Sequence, residues 1–236
     1  VAAAGIPVAK HGNRAASSAC GSADVLEALG VEIDVAPERA AQSLRATDFT
    51  FMFAPRYHPA MKNVGPVRRE LGVRTVFNVL GPLTNPARAT HQVVGVARAD
   101  LIELMGDVLA GLGVTGAVVH AASGIDEVSG EGPSTVYQFG ADGAHRWTLD
   151  PSEFGIDAPL EAIRGGSVEA ARSAFERIIK GERSPRADVV ALNAGLVFAI
   201  AKRTTNVKEG IELARTLLGD GRVASVLERV KQYHHE

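Results

Sequence analysis

Short apolar runs of strand length alternate along the chain with longer stretches whose apolar residues recur at helical spacing. IPVAK after Gly5, TFMFA (50–54), QVVGVA and GAVVHA are the strand-like runs. Between them, ADVLEAL reads as a helix with Ser22 as N-cap and Gly30 closing it, and PERAAQSLR as a second helix. Pro59 suits the first turn of a helix that continues through MKNVGPVRREL, with a break or kink at Gly65-Pro66. DLIELMGDVLAGL is helical with Asp100 as its cap. STVYQF and HRWTL alternate well enough for a hairpin or edge pair. TVFNVLGPLTNP turns from apolar to dense in turn formers, and its second half reads as a rigid scaffold loop. From Ser167 the pattern is helical throughout, and the stretch 187–202 is apolar nearly all round, which predicts a central helix.

Strands alternating with helices, followed by a helical tail, predict an α/β fold with a mostly parallel central sheet flanked by helices. No repeat, low-complexity tract or linker is visible, so residues 1–236 read as a single α/β domain. In such folds sites lie beyond the carboxyl ends of strands. KHGNR, the segment after TFMFA, and SGIDE all fall there. VAAAG reads as the last turn of a helix closed by Gly5, so the chain is expected to start inside an element whose earlier part is absent.

Composition narrows the partners. The formal net charge is −2, which predicts no general attraction to nucleic acid or to anionic membranes, so any anion must be bound by local groups. A single cysteine, Cys20, excludes an intrachain disulfide framework and fits a reducing compartment. No apolar run has bilayer-spanning length and no signal segment opens the chain, so the expectation is a cytoplasmic protein.

Three stretches carry candidate chemistry. In KHGNRAASS, Lys10, His11, Asn13 and Arg14 surround Gly12, and Ser17 and Ser18 follow. A glycine turn brings amides toward a ligand, Lys10 supplies a point charge, and the hydroxyls can donate to oxyanions. The set suits a phosphorylated ligand, although a solvated loop has a similar composition. In GIDEVSGEG, Asp126-Glu127 holds two hard oxygen ligands among glycines, which suits Mg²⁺ completed by water and substrate phosphates; a plain solvated pair is the alternative. In RYHPAMKNVGPVRRELG, Arg68 and Arg69 point about 100° apart on a helix, so one of them can fork a carboxylate. His58 either lines a pocket or packs against the helix start. His91, His120 and His145 lack metal-ligand spacing, so zinc is not expected. His234-His235 reads as a solvated end, and Cys20 as a small packed residue. No G-x-S-x-G, Walker A or Rossmann fingerprint occurs.

KHGNRAASSACGSADVLEALG, FAPRYHPAMKNVGPVRRELGVRTVFNVLGPLTNPA and GIDEVS, in that order, resemble the anthranilate phosphoribosyltransferase family across essentially the whole chain. The long middle block is specific to the family, whereas its Lys-His opening is shared loosely with pyrimidine nucleoside phosphorylases. The resemblance implies a C-terminal domain of the nucleoside phosphorylase/phosphoribosyltransferase type with a helical tail. It also implies transfer of phosphoribosyl from phosphoribosyl diphosphate (PRPP) to anthranilate, releasing diphosphate with Mg²⁺ assisting, in tryptophan biosynthesis. Matched motif by motif, Lys10, His11, Gly12, Asn13, Arg14, Ala15, Ala16, Ser17 and Ser18 form the PRPP loop, and Ser22 adds a diphosphate contact. Asn13 and Arg68 match the anthranilate-binding positions, with His11 and His58 lining the anthranilate channel. Asp126 and Glu127 match the Mg²⁺ ligands, and no general base is assigned.

The family pairs a small N-terminal helical domain with the α/β domain, usually as a homodimer. That helical domain and the family's glycine-rich G-T-G-G-D loop are not found in the 236 residues, so the chain alone is expected to be inactive or impaired. A nucleoside phosphorylase-like enzyme is the alternative, as is a non-catalytic relative binding nucleic acid or a protein partner. The acidic pair and the lack of a basic stripe weigh against the second.

Overall fold

The computed structural model describes residues 1–15, 19–73 and 75–235. In chain order its elements are β1 (Val8–Gly12), α1 (Ser22–Ala28), α2 (Pro37–Thr47), β2 (Phe49–Phe53), α3 (Ala54–Tyr57), α4 (Met61–Leu71), α5 (Phe77–Leu80), β3 (His91–Gly95) and α6 (Ile102–Gly111). There follow β4 (Thr115–Ala121), β5 (Ser134–Gly140), β6 (Gly143–Leu149), α7 (Leu160–Ile163), α8 (Val168–Ile179), α9 (Pro185–Ile200), α10 (Val207–Gly219) and α11 (Arg222–His235). The chain packs as two compact units. The terminal unit comprises Ala2–Arg88, Gly165–Glu176 and Arg222–Glu236; the central unit comprises Val1, Ala89–Arg164 and Arg177–Gly221.

In the terminal unit β1 and β2 pair in parallel, from Val8↔Phe49 to Gly12↔Phe53. Phe49, Phe51 and Phe53 turn one way, onto a cluster with Ala23, Leu26 and Ile33. Pro37 opens α2, where its missing N–H costs nothing. Asp48, at φ 60°, ends that helix in the left-handed region. The tail helix α11 packs on α2 and β2. His234 is only 5% exposed. This corrects the expectation of a solvated end: the Glu32 carbonyl and the Ser43 hydroxyl, 3.1 Å from Nε2, draw the ring inward.

In the central unit the sheet order is β3-β4-β5-β6. β3 and β4 are parallel and joined through α6; β4-β5 and β5-β6 are antiparallel. The expected parallel pattern therefore holds at β1-β2 and β3-β4. The expected hairpin supplies the antiparallel strands, because Gly140 and Gly143 pair across a turn too tight for a helical crossover. Val94, Met105, Leu109, Val118 and Phe139 form the core between α6 and the sheet. Helix α9 buries Leu192, Leu196 and Phe198, as a helix apolar on all sides must. Ser184 caps it, with its side chain accepting from the Ala187 N–H at 3.3 Å.

Three local expectations change. Gly21, not Ser22, is the N-cap of α1, because the Asp24 carboxylate accepts the Gly21 N–H and so fixes the turn one residue earlier. Pro59 precedes α4, and that helix runs through Pro66 to Leu71. Asp100 does not cap α6; it forks with the Arg98 guanidinium instead (Nε to Oδ1, 2.9 Å), and a 3₁₀ turn leads into the helix.

Candidate functional site

The first group of site residues lies at the carboxyl end of β1. Strand pairing sets Lys10, His11 and Gly12 level with Phe51, Met52 and Phe53. Gly12 sits over the phenylalanine cluster, and a Cβ there would come within 3.2 Å of the Phe51 ring. A side chain there would have to displace that ring by a few tenths of an ångström. Beyond it, Asp24 organises the loop: its Oδ2 accepts the N–H groups of Gly21 at 2.8 Å and Ala15 at 3.0 Å. Those two donors hold the Asp24 carboxyl below the ordinary carboxylate range. Gly21 is close enough that a Cβ would lie 2.9 Å from the Ala15 nitrogen. Asn13 Oδ1 accepts the Arg14 N–H at 2.8 Å. The Arg14 guanidinium forks onto Glu27 at 2.9 and 2.6 Å and lies 4.8 Å from the centre of the Phe53 ring. Ser22 opens α1 and is exposed, as are Lys10 and Asn13. Ala16, Ser17 and Ser18 lie outside the described residues, as does the side chain of Arg68.

His58, in the turn after α3, meets His11 with Nε2 to Nε2 at 3.1 Å and the rings edge to face. Burial lowers the His11 pKa, and His58 lowers it further; the Gly81 carbonyl, which accepts from His11, opposes both. The loop read as inert scaffold thus contributes directly. Asn85 Nδ2 donates to the Ala9 carbonyl at 3.0 Å, pinning β1. Behind α3, Arg56 bonds the Asp34 carboxylate at 2.6 Å and the Asp34 carbonyl at 3.2 Å. Asp24, Gly81 and Asn85 were not among the predicted site residues. Asp24 alone left a signal, standing three positions after Gly21 in a capping-box spacing.

Asp126 and Glu127 belong to the central unit, in the loop between β4 and β5, and both are exposed. The strand end turns through Gly124 at φ +85°, whose N–H donates to the Ala121 carbonyl at 2.8 Å. The Asp126 backbone rests on Gly95 at the end of β3: a Cβ on Gly95 would fall 1.5 Å from the Asp126 carbonyl oxygen. Among the described residues no group of three or more His, Cys, Asp or Glu is placed to hold a metal. Two adjacent carboxylates without a third ligand do not make a closed zinc-type cage. They fit a hard divalent cation that takes few carboxylates and fills its shell with water and phosphate oxygens.

Residues 1–224 match the glycosyl transferase family, a/b domain. The chain is 50% identical to the anthranilate phosphoribosyltransferase of Thermomicrobium roseum, over 98% of this chain and 68% of the relative. The chain belongs to the anthranilate phosphoribosyltransferase family. The crystal structure of the Thermus thermophilus member covers all of this chain with 70% of its own length, at 48% identity and a TM-score of 0.93. The Saccharomyces cerevisiae member in complex with PRPP and Mg matches 99% of this chain with 67% of its own, at 28% identity and a TM-score of 0.90. The same yeast enzyme in complex with 4-fluoroanthranilate matches at 27% identity and a TM-score of 0.88. Family membership fixes the chemistry class as glycosyl transfer, and among the described residues no helix is long and apolar enough to cross a membrane.

Proposed function

We propose that this protein transfers the phosphoribosyl group of PRPP to the amine of anthranilate, releasing diphosphate, in tryptophan biosynthesis. The observation that carries the reading is the loop at the end of β1, where Asp24 fixes the backbone of Gly21 and Ala15 beside the His11–His58 pair. Lys10 and the hydroxyls that follow it suit an anionic sugar diphosphate, on a loop whose backbone Asp24 holds in place, and a half-buried imidazole pair suits the face of an aromatic amine. In this reading Lys10 through Ser18, together with Ser22, hold PRPP. Asn13 and Arg68 take the anthranilate amine and carboxylate, with His11 and His58 beside its ring.

Bond breaking at C1′ gathers charge on the diphosphate, and Mg²⁺ held by Asp126 and Glu127 would stabilise that charge. The protein's own share is positioning. Lys10 and the loop hydroxyls keep the diphosphate oriented, and Asn13 and Arg68 keep the amine facing C1′, which converts an encounter into a near-unimolecular step. No general base is required, because a carbocation-like sugar carbon demands little of its nucleophile. The homodimer and the cytoplasmic compartment belong to the same reading; the lone Cys20, its thiol pKa raised first by burial, suits a reducing environment.

Anthranilate fluorescence tests this directly, using the chain and a chimera that adds the part of the Thermus thermophilus relative outside the match. The expected result is a fall in fluorescence that needs protein, PRPP and Mg²⁺ together in at least one of the two. A flat trace in both, with phosphorolysis of uridine or thymidine in its place, would overturn the assignment in favour of a nucleoside phosphorylase.

A further inference from the structure

Asn193 sits in the middle of α9, where an amide side chain is out of keeping with the apolar residues around it. Its position is explained by what it holds. Asn193 Oδ1 accepts the N–H of Val128 at 3.0 Å, and its Nδ2 donates to the carbonyl of the same residue at 2.9 Å. Nδ2 also donates to the Val189 carbonyl one turn back, at 3.0 Å, which fixes the rotamer. Val128 is fully buried, directly after Glu127, in a stretch that belongs to neither β4 nor β5. It therefore has no strand partner for its two polar groups, and the carboxamide supplies both bonds as a strand backbone would.

The base of this clamp is itself fixed. α9 lies against α10 at a glycine crossing, where a Cβ on Gly195 would come within 2.8 Å of the Ile211 nitrogen and one on Gly210 within 2.4 Å of the Gly195 oxygen. Arg215 on α10 also binds Asp188 on α9 at 2.7 Å. Downstream, the Gly130 carbonyl accepts from the Ala158 N–H at 2.9 Å, and Ser129 N–H donates to Ser134 Oγ at 3.0 Å. Upstream, Asp126 rests on Gly95. Between these anchors the backbone of the acidic pair is fixed on one side by Gly95 and on the other by Asn193.

We infer that Asn193 is a positioning residue for the Asp126–Glu127 pair: its two hydrogen bonds to Val128 set the direction in which the carboxylates meet a divalent cation. The inference rests on reading that pair as cation ligands. The side chains themselves are exposed and carried on a loop, so a cation-ready geometry has to be imposed on the backbone from beneath.

Two readouts on the same protein test it: amide hydrogen exchange at Val128, and Mn²⁺ binding in the presence of inorganic diphosphate, followed by electron paramagnetic resonance. Asn193→Leu, of similar volume, is compared with Leu109→Ala, a cavity variant in the same unit. The expected result is faster exchange at Val128 and at least tenfold weaker Mn²⁺ binding in Asn193→Leu, with binding in Leu109→Ala within twofold of the parent. Faster exchange with unchanged Mn²⁺ affinity would overturn the inference and leave the cation reading standing, as would an equal loss of affinity in the cavity variant. If the parent binds no Mn²⁺ with diphosphate, the cation reading falls and the inference falls with it.

Discussion

His11 and His58 share one hydrogen bond between two ring nitrogens, so with both rings neutral one donates and the other accepts. A positive charge on His11 would stand against the His58 ring, in a half-buried place that already disfavours charge. Burial and His58 thus lower the His11 pKa together, burial more. A depressed histidine contributes stability that is present above its unfolded value of about 6.5. That contribution is lost as the pH falls through the lower folded value. In a ¹H–¹⁵N titration the His11 ring is expected to change protonation below pH 6.5. His58→Ala removes a repulsive neighbour and admits water, so the midpoint should move upward; an unmoved midpoint would contradict this account of the pair.

At the scale of elements, the contact between α9 and α10 depends on two glycines. A Cβ on Gly210 would stand 2.4 Å from the Gly195 oxygen and 2.8 Å from its Cα, both backbone atoms that cannot swing away. Gly210→Ala is expected to push the helices apart and cost about 1–3 kcal/mol, as overpacking does. A lowered denaturant midpoint with an unchanged slope would bear this out, and a neutral result would show that α10 shifts freely. Helix periodicity made α9 and α10 themselves readable, but it says nothing of which faces meet, so this crossing was hidden in the sequence. The site was legible in the same uneven way. KHGNR and the Asp126-Glu127 pair stood out because polar residues cluster where buried strands end. Asn193 and Asn85 did not stand out, because each works by reaching backbone atoms far along the chain: Asn193 is 65 positions from Val128, and Asn85 is 76 from Ala9. Asp100 shows the opposite failure. Its local spacing suggested a cap, yet an arginine two residues away competes for the same carboxylate.

For the molecule as a whole, the chain returns at its end to residues laid down near its beginning. The terminal unit draws its parts from Ala2–Arg88, Gly165–Glu176 and Arg222–Glu236, and no linker marks these crossings, one of which falls inside α8. His234 is a closing point of that unit. Its ring reaches the Glu32 carbonyl, 202 positions away, and the Ser43 hydroxyl, 191 positions away. Ser43 in turn lies 2.9 Å from the Phe49 carbonyl at the start of β2. One side chain on α11 thus ties the segment before α2, α2 itself and β2 into one polar network inside an apolar unit. His234→Ala would leave a buried hydroxyl and a carbonyl short of partners, at a cost of about 1–3 kcal/mol. The loss should be local in character. Amides of α2 and β2 are expected to exchange faster in the variant, while those of β4 and β5 in the central unit keep the parent rate. Equal acceleration in both units would mean that α11 stabilises the chain only as a whole; no acceleration in either would reduce His234 to a bystander.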